Sequence, residues 1–254
     1  MSEPTCVCFV ISDVGQESHN HLILIFYYFS FLATIIVEET SFTGDLPRLP
    51  DSIVNFDISF AFYTGGFTDN TFVGLNKMEF LDLDGNAFST SIPDAIGQLP
   101  NLKFLYISDS FLTGDLSWME GMASIREMWI DTNPGISGPI YDFIGDITTL
   151  ESWSMAFNSL TGTLPASLGN LDAMTQMWLY ANQLTGTIPS ELGLIPRIQT
   201  LELEGNAFVG SMPDEICDKT VFPFDIIDTL GADCDDPGFE CDCCTCCSVA
   251  ECTA

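Results

Sequence analysis

Residues 153–189 read WSMAFNSLTGTLPASLGNLDAMTQMWLYANQLTGTIP, and the second half of this stretch repeats the first. Trp153 aligns with Met177, Asn158 with Asn182, Gly162 with Gly186 and Pro165 with Pro189, each pair 24 residues apart. Further out, the pattern recurs as LELEGNAFVGSMP at 201–213 and LDLDGNAFSTSIP at 81–93. Weaker copies are IIVEETSFTGDLP (35–47), FDISFAFYTGGFT (56–68), LYISDSFLTGDLS (105–117) and MWIDTNPGISGPIY (128–141). Eight copies at steps of 21 to 25 residues describe a chain that stacks one small unit many times. The first and third residues of every copy are apolar, from Ile35 and Val37 to Leu201 and Leu203. That period of two predicts a short strand whose inward residues stack from one coil to the next.

The copies follow L-x-x-L-x-L-x-x-N-x-L, trail into T-G-x-I-P, and are linked by runs such as Leu168-Gly169-Asn170-Leu171. In this the chain resembles the plant-type extracellular leucine-rich-repeat proteins, which include receptor-kinase ectodomains and polygalacturonase-inhibiting proteins. The resemblance implies an α/β solenoid of about eight coils of ~24 residues. A parallel sheet would line its concave face, with short helical, 3-10 or irregular segments on the convex one. It also implies a ladder of buried side chains at Asn86, Asn133, Asn158, Asn182 and Asn206, each bonding backbone groups where the chain leaves the strand. Thr40, Ala61 and Ser110 stand at the same place, so the first half is expected to be less regular. Gly44, Gly65, Gly114, Gly138, Gly162, Gly186 and Gly210 are expected to mark tight turns that a side chain would crowd. Pro47, Pro93, Pro165, Pro189 and Pro213 preset the bend that follows.

Composition narrows the function. Apolar residues make up 46% of the 254, enough for a core, so a wholly disordered chain is excluded. Thirty-six acids against six Lys and Arg give a net charge of −30. Such a surface repels phosphate backbones and anionic lipid, which leaves basic proteins, peptides, cations and neutral glycans as partners.

Cysteine is confined to the ends. Cys6 and Cys8 open the chain, and Cys217, Cys234, Cys241, Cys243, Cys244, Cys246, Cys247 and Cys252 close it. Overlapping C-x2-C pairs would suit a thiolate metal cluster, but any dense run contains them; beside extracellular-type repeats, disulfides are the expected chemistry, with no metal or cofactor. Residues 213–254 carry 11 acids and one Lys and fit no further repeat, so residues 217–254 are expected to cap the solenoid of 32–216. A bridge from Cys217 into the cluster would fasten that cap. Residues 1–31 form a separate N-terminal segment. The uncharged run 22–37 falls short of the ~20 residues a membrane span needs. A signal or anchor, an apolar cap, and a chain start unlike the mature protein's all fit it, and any membrane association would run through it.

Register assigns the outward sheet residues. Phe80, Phe104, Tyr106, Trp129, Trp178 and Tyr180 are expected to face away from the core, and Trp153 inward. Exposed aromatics bury much area on contact, which marks a binding surface; packing on one another is the plainer alternative. Asp82, Asp84, Asp131, Glu202 and Glu204 are expected to ring the patch and select a basic or hydroxyl-rich partner, or simply to be solvated. Asp82-Leu83-Asp84-Gly85-Asn86 resembles a fragment of a calcium loop without the rest of it. His19 and His21 lie in the N-terminal segment, and neither phosphate-binding glycine motif occurs, so an enzyme is not expected. The expected function is a non-enzymatic extracellular or cell-surface binding module for a protein, peptide or glycan. A structural wall or matrix protein and an inhibitor of a wall-degrading hydrolase are the alternatives.

Overall fold

The computed structural model describes residues 8–11, 33–37, 43–221, 226–234 and 236–248. Ten strands form one parallel sheet in chain order: Cys8–Ile11, Thr34–Val37, Asn55–Asp57, Phe80–Asp82, Phe104–Tyr106, Glu127–Trp129, Ser152–Ser154, Gln176–Trp178, Thr200–Glu202 and Thr229–Gly231. Their central residues lie in one register, in which Phe56, Leu81, Leu105, Met128, Trp153, Met177, Leu201 and Leu230 follow one another strand by strand. All of these side chains are buried, Trp153 among them. A second parallel sheet (Thr113–Gly114, Gly135–Pro139, Ser159–Gly162, Gln183–Gly186, Ala207–Phe208) carries the T-G segments. One-turn helices or 3-10 turns at 94–97, 142–146, 166–170 and 190–194 complete each coil. Pro93, Pro165 and Pro189 stand immediately before three of these turns, with φ of −80°, −74° and −68°.

The asparagines stitch coil to coil. Asn158 Oδ1 accepts the Asn133 N–H at 3.0 Å, while its Nδ2 donates to the carbonyls of Ile130 and Met155 at 2.8 and 2.9 Å. Asn86, Asn133, Asn182 and Asn206 repeat this, each accepting one amide and donating to at least one carbonyl of the preceding coil. Ser110 makes a single bond, from its hydroxyl to the Asn86 carbonyl at 2.9 Å, and Ala61 offers none. Thr40 lies outside the described residues.

All seven glycines expected at turns have a positive φ, and at Gly65 a Cβ would also overlap the Gly44 carbonyl oxygen, but most of the others are not crowded. Gly162 has φ +80° but room for a Cβ, whose nearest neighbour would be 3.7 Å away; its left-handed conformation is what requires glycine. A second, unexpected set of crowded positions is the glycine of L-G-x-L. A Cβ on Gly169 would overlap the Glu191 carbonyl oxygen of the next coil, and one on Gly145 would overlap that of Ser167. The absent side chain is what lets successive convex turns stack.

Both ends continue the sheet beyond the eight repeats. The tail, expected to hold no further coil, supplies Thr229–Gly231, with Leu230 and Ala232 as its inward pair. Asp233 accepts the N–H groups of Gly205 and Asn206 at 2.6 and 3.0 Å, taking over the role of a further ladder residue. Cystines Cys217–Cys243, Cys234–Cys247 and Cys241–Cys244 have Cα separations of 5.5, 5.0 and 5.6 Å. Cys246 is disulfide-bonded as well. Cys6, His19, His21, Phe222–Phe224 and Cys252 lie outside the described residues, as does most of the run 22–37. The end of that run forms the strand Thr34–Val37, where Ile35 and Val37 are buried. Among the described residues no helix is long and apolar enough to cross a membrane.

Candidate functional site

Alternation along each three-residue strand puts one residue into the core and its two neighbours on the outer face. Phe80, Phe104, Tyr106 and Trp129 occupy such outer positions in successive coils and Trp178 in the next coil but one, with Tyr180 two residues beyond the end of the Trp178 strand. Their rings form a chain: Phe80–Phe104 at 6.3 Å, Phe80–Tyr106 at 5.7 Å, Tyr106–Trp129 at 5.3 Å and Trp129–Trp178 at 6.4 Å. These contacts leave Trp129 38% exposed, and the other five rings are partly exposed.

Between the two tryptophans the row is interrupted by a small residue. Ser154 pairs in register with Trp129 on one side and Trp178 on the other. A cleft of about 210 Å³ opens there, lined by Trp129, Asp131, Ser154, Trp178 and Tyr180. Trp129 Nε1 donates to Ser152 Oγ at 3.1 Å, which fixes one wall and spends the hydroxyl of Ser152, a buried residue. The Trp178 ring stands at 85° to that of Trp129, so the walls make a corner rather than a flat platform. Phe157 extends the surface, edge-on to Tyr180 at 5.3 Å and 47% exposed. Sequence register gave no outward place to Phe157. It sits at the left-handed corner before Asn158, with φ +54°, and that corner turns its side chain out.

The carboxylates divide into two groups. Asp131 is built in: its Oδ1 accepts from the Ser154 hydroxyl and from the Ala156 N–H at 2.8 Å. Burial still holds its pKa above the ordinary carboxylate value. Asp82 accepts the Asp84 N–H at 3.0 Å, and Asp84 accepts the Ser108 N–H. Burial first, then neighbouring carboxylates, push Asp82 up to about 7 and Asp84 up to about 6. These three fill the outer face as expected.

Glu202 and Glu204 do not. Glu202 is 7% exposed and Glu204 fully buried, with neither Glu204 oxygen in a well-formed hydrogen bond. The strand Thr229–Gly231 docks beside them and walls them off, so Glu204 cannot touch a partner directly. Desolvation, then the charges of Glu202 and Asp233, raise its pKa to about 7. The calcium-loop fragment also comes apart: Asp82 and Asp84 face outward while Asn86 turns into the core as a ladder residue.

Comparison with known proteins agrees with this architecture. The Leucine Rich Repeat family model matches residues 77–99. No curated protein sequence matches the chain. Among solved structures, the plant peptide hormone receptor RGFR1 in complex with RGF2 is 25% identical, superposes with a TM-score of 0.72, and is matched over 79% of this chain and 32% of that one. The complex of PEPR1 with AtPEP1 gives 25%, 0.67, 79% and 31%. The Arabidopsis receptor kinase HAESA with the peptide hormone IDA and the co-receptor SERK1 gives 29%, 0.63, 75% and 33%. The chain spans about a third of the length of these structures. The molecule is a leucine-rich-repeat solenoid of the kind found in plant receptor-kinase ectodomains, finished by a cystine-rich tail. Its disulfides and this likeness fit an extracellular setting.

Proposed function

We propose that the chain is a binding module that recognises a protein or peptide on the outer face of its sheet, and that it acts by binding and not by catalysis. Residues 32–216 would carry recognition, and residues 217–254 would close the stack. The observation that carries this reading is the cleft between Trp129 and Trp178, because two large rings held apart by Ser154 offer a ready-made anchor pocket. Phe80, Phe104, Tyr106, Tyr180 and the carboxylates Asp82, Asp84 and Asp131 surround it with adaptable contacts. Among the matched structures, RGFR1 is a plant peptide hormone receptor and HAESA is bound to the peptide hormone IDA, which supports a peptide partner.

Panning a random-peptide display library against the full chain tests the proposal. Retained peptides should bind at least tenfold more weakly to the Trp129→Ala/Trp178→Ala double variant, measured at a temperature where circular dichroism shows that variant folded. Retention unaffected by that change would overturn the assignment of the face.

A further inference from the structure

The cleft has two properties that a general protein-binding patch does not need: crossed aromatic walls and a half-buried carboxylate at its edge. Trp129 and Trp178 meet at 85°, so a group entering between them meets the face of one ring and the edge of the other. The corner is too broken for a sugar ring to lie flat on both walls. Asp131 is held in place through Oδ1 alone by Ser154 and Ala156, which leaves Oδ2 with accepting capacity. Asp131 and Glu202 lie close enough to Tyr180, the third wall, to act on its phenol electrostatically. None of the chain's Lys or Arg residues lines the cleft. Lys103 and Arg126, one strand position from the patch, are paired with Glu79 and Glu151 at 2.8 and 3.3 Å. The pocket is therefore aromatic, anionic and without a counter-charge of its own, in a chain of net charge −30.

We propose that this cleft takes an arginine side chain of a peptide partner, its guanidinium stacked on an indole face between Trp129 and Trp178 and paired with Asp131. Resting on the sheet face being the binding surface, this names the group that the surface selects. A planar, weakly hydrated guanidinium stacks on an aromatic face and still donates in plane to a carboxylate, which a compact ammonium does less well. The field of the acidic chain draws such a group in and disfavours acidic peptides.

The test is a titration of the ¹⁵N-labelled full chain with N-acetyl-arginine amide, following the indole N–H signals assigned with Trp129→Phe and Trp178→Phe. The signals of Trp129 and Trp178 should move and saturate, while those of Trp118 and Trp153 stay still. N-acetyl-citrulline amide, equal in shape but uncharged, should bind at least tenfold more weakly. Asp131→Asn, which keeps an acceptor for Ser154 and Ala156, should weaken arginine at least fivefold and leave citrulline unchanged. Unmoved indoles, equal binding of citrulline, or equal shifts with cellobiose would overturn the proposal on the unaltered chain, whatever the fate of the Asp131 variant. Display peptides that need both tryptophans but tolerate citrulline for arginine would overturn it while leaving the binding face standing.

Discussion

Trp129 and Trp178 share one outward row of the sheet but stand two strands apart, with Ser154 in register between them. The gap left by that serine makes the cleft, so its size is the property to change. Ser154→Leu should fill it and lower retention of selected peptides at least tenfold. The lost hydroxyl bond to Asp131 should cost about 1 kcal/mol, a small drop in melting temperature. Full retention by a folded Ser154→Leu protein would show that the partner does not enter there.

The ladder predicts unequal costs for deleting side chains in one coil. Asn158→Ala leaves one amide and two carbonyls unpaired in the core and should cost roughly 2–4 kcal/mol. Gln183→Ala, at an exposed position, should stay within about 0.5 kcal/mol of the parent. Ser152 would be a poor control, because it is buried and accepts the Trp129 indole N–H. Equal denaturation midpoints for Asn158→Ala and Gln183→Ala would contradict the ladder's energetic role.

Two glycines in one repeat should respond to alanine for different reasons. Gly162→Ala is strained only by its left-handed backbone, at about 1 kcal/mol. Gly169→Ala drives a methyl into the Glu191 carbonyl of the next coil, which must move apart, and should cost about 3 kcal/mol or more. Urea denaturation of the two variants checks the order.

The raised acids set a pH dependence. The folded pKa of Glu204, about 7, exceeds the 4.5 of a free side chain, and Asp82 and Asp84 are shifted the same way. Between those limits the folded state binds more protons than the unfolded chain, so stability falls as pH rises from about 4 to above 7. The melting temperature should be higher at pH 5 than at pH 7.5. Glu204→Gln should remove part of the slope and gain up to about 3 kcal/mol at pH 8, with no gain at pH 5. Parallel pH profiles for parent and variant would refute this account of Glu204.

The bridge Cys217–Cys243 joins the helix that follows the last repeat to the cystine-rich cluster, enclosing a loop of 26 residues' separation. Its loss should release the tail strand by about 3 kcal/mol and expose the last coil. In Cys217→Ser, hydrogen exchange should quicken first at 201–212 and 229–231, with protection kept near Trp153. Uniform loss of protection would place the weak point elsewhere.

The repeat, the solenoid and the outward row of aromatics were legible in the sequence because periodicity alone assigns them. Apolar residues at the first and third positions set strand and facing, and stacked copies allow one register. Four of the five residues lining the cleft, Trp129, Asp131, Trp178 and Tyr180, were legible on those grounds. What the tertiary structure decided were matters of neighbourhood. Ser154 matters because it separates two tryptophans 49 residues apart in the chain. Phe157 reaches the face through a left-handed corner that no local pattern announces. Glu204 is in register for the surface, yet the strand Thr229–Gly231 buries it. That strand has neither the Asn nor the T-G-x-P of a repeat, and it joins the sheet through Leu230, Asp233 and cystines whose pairing only the folded chain fixes.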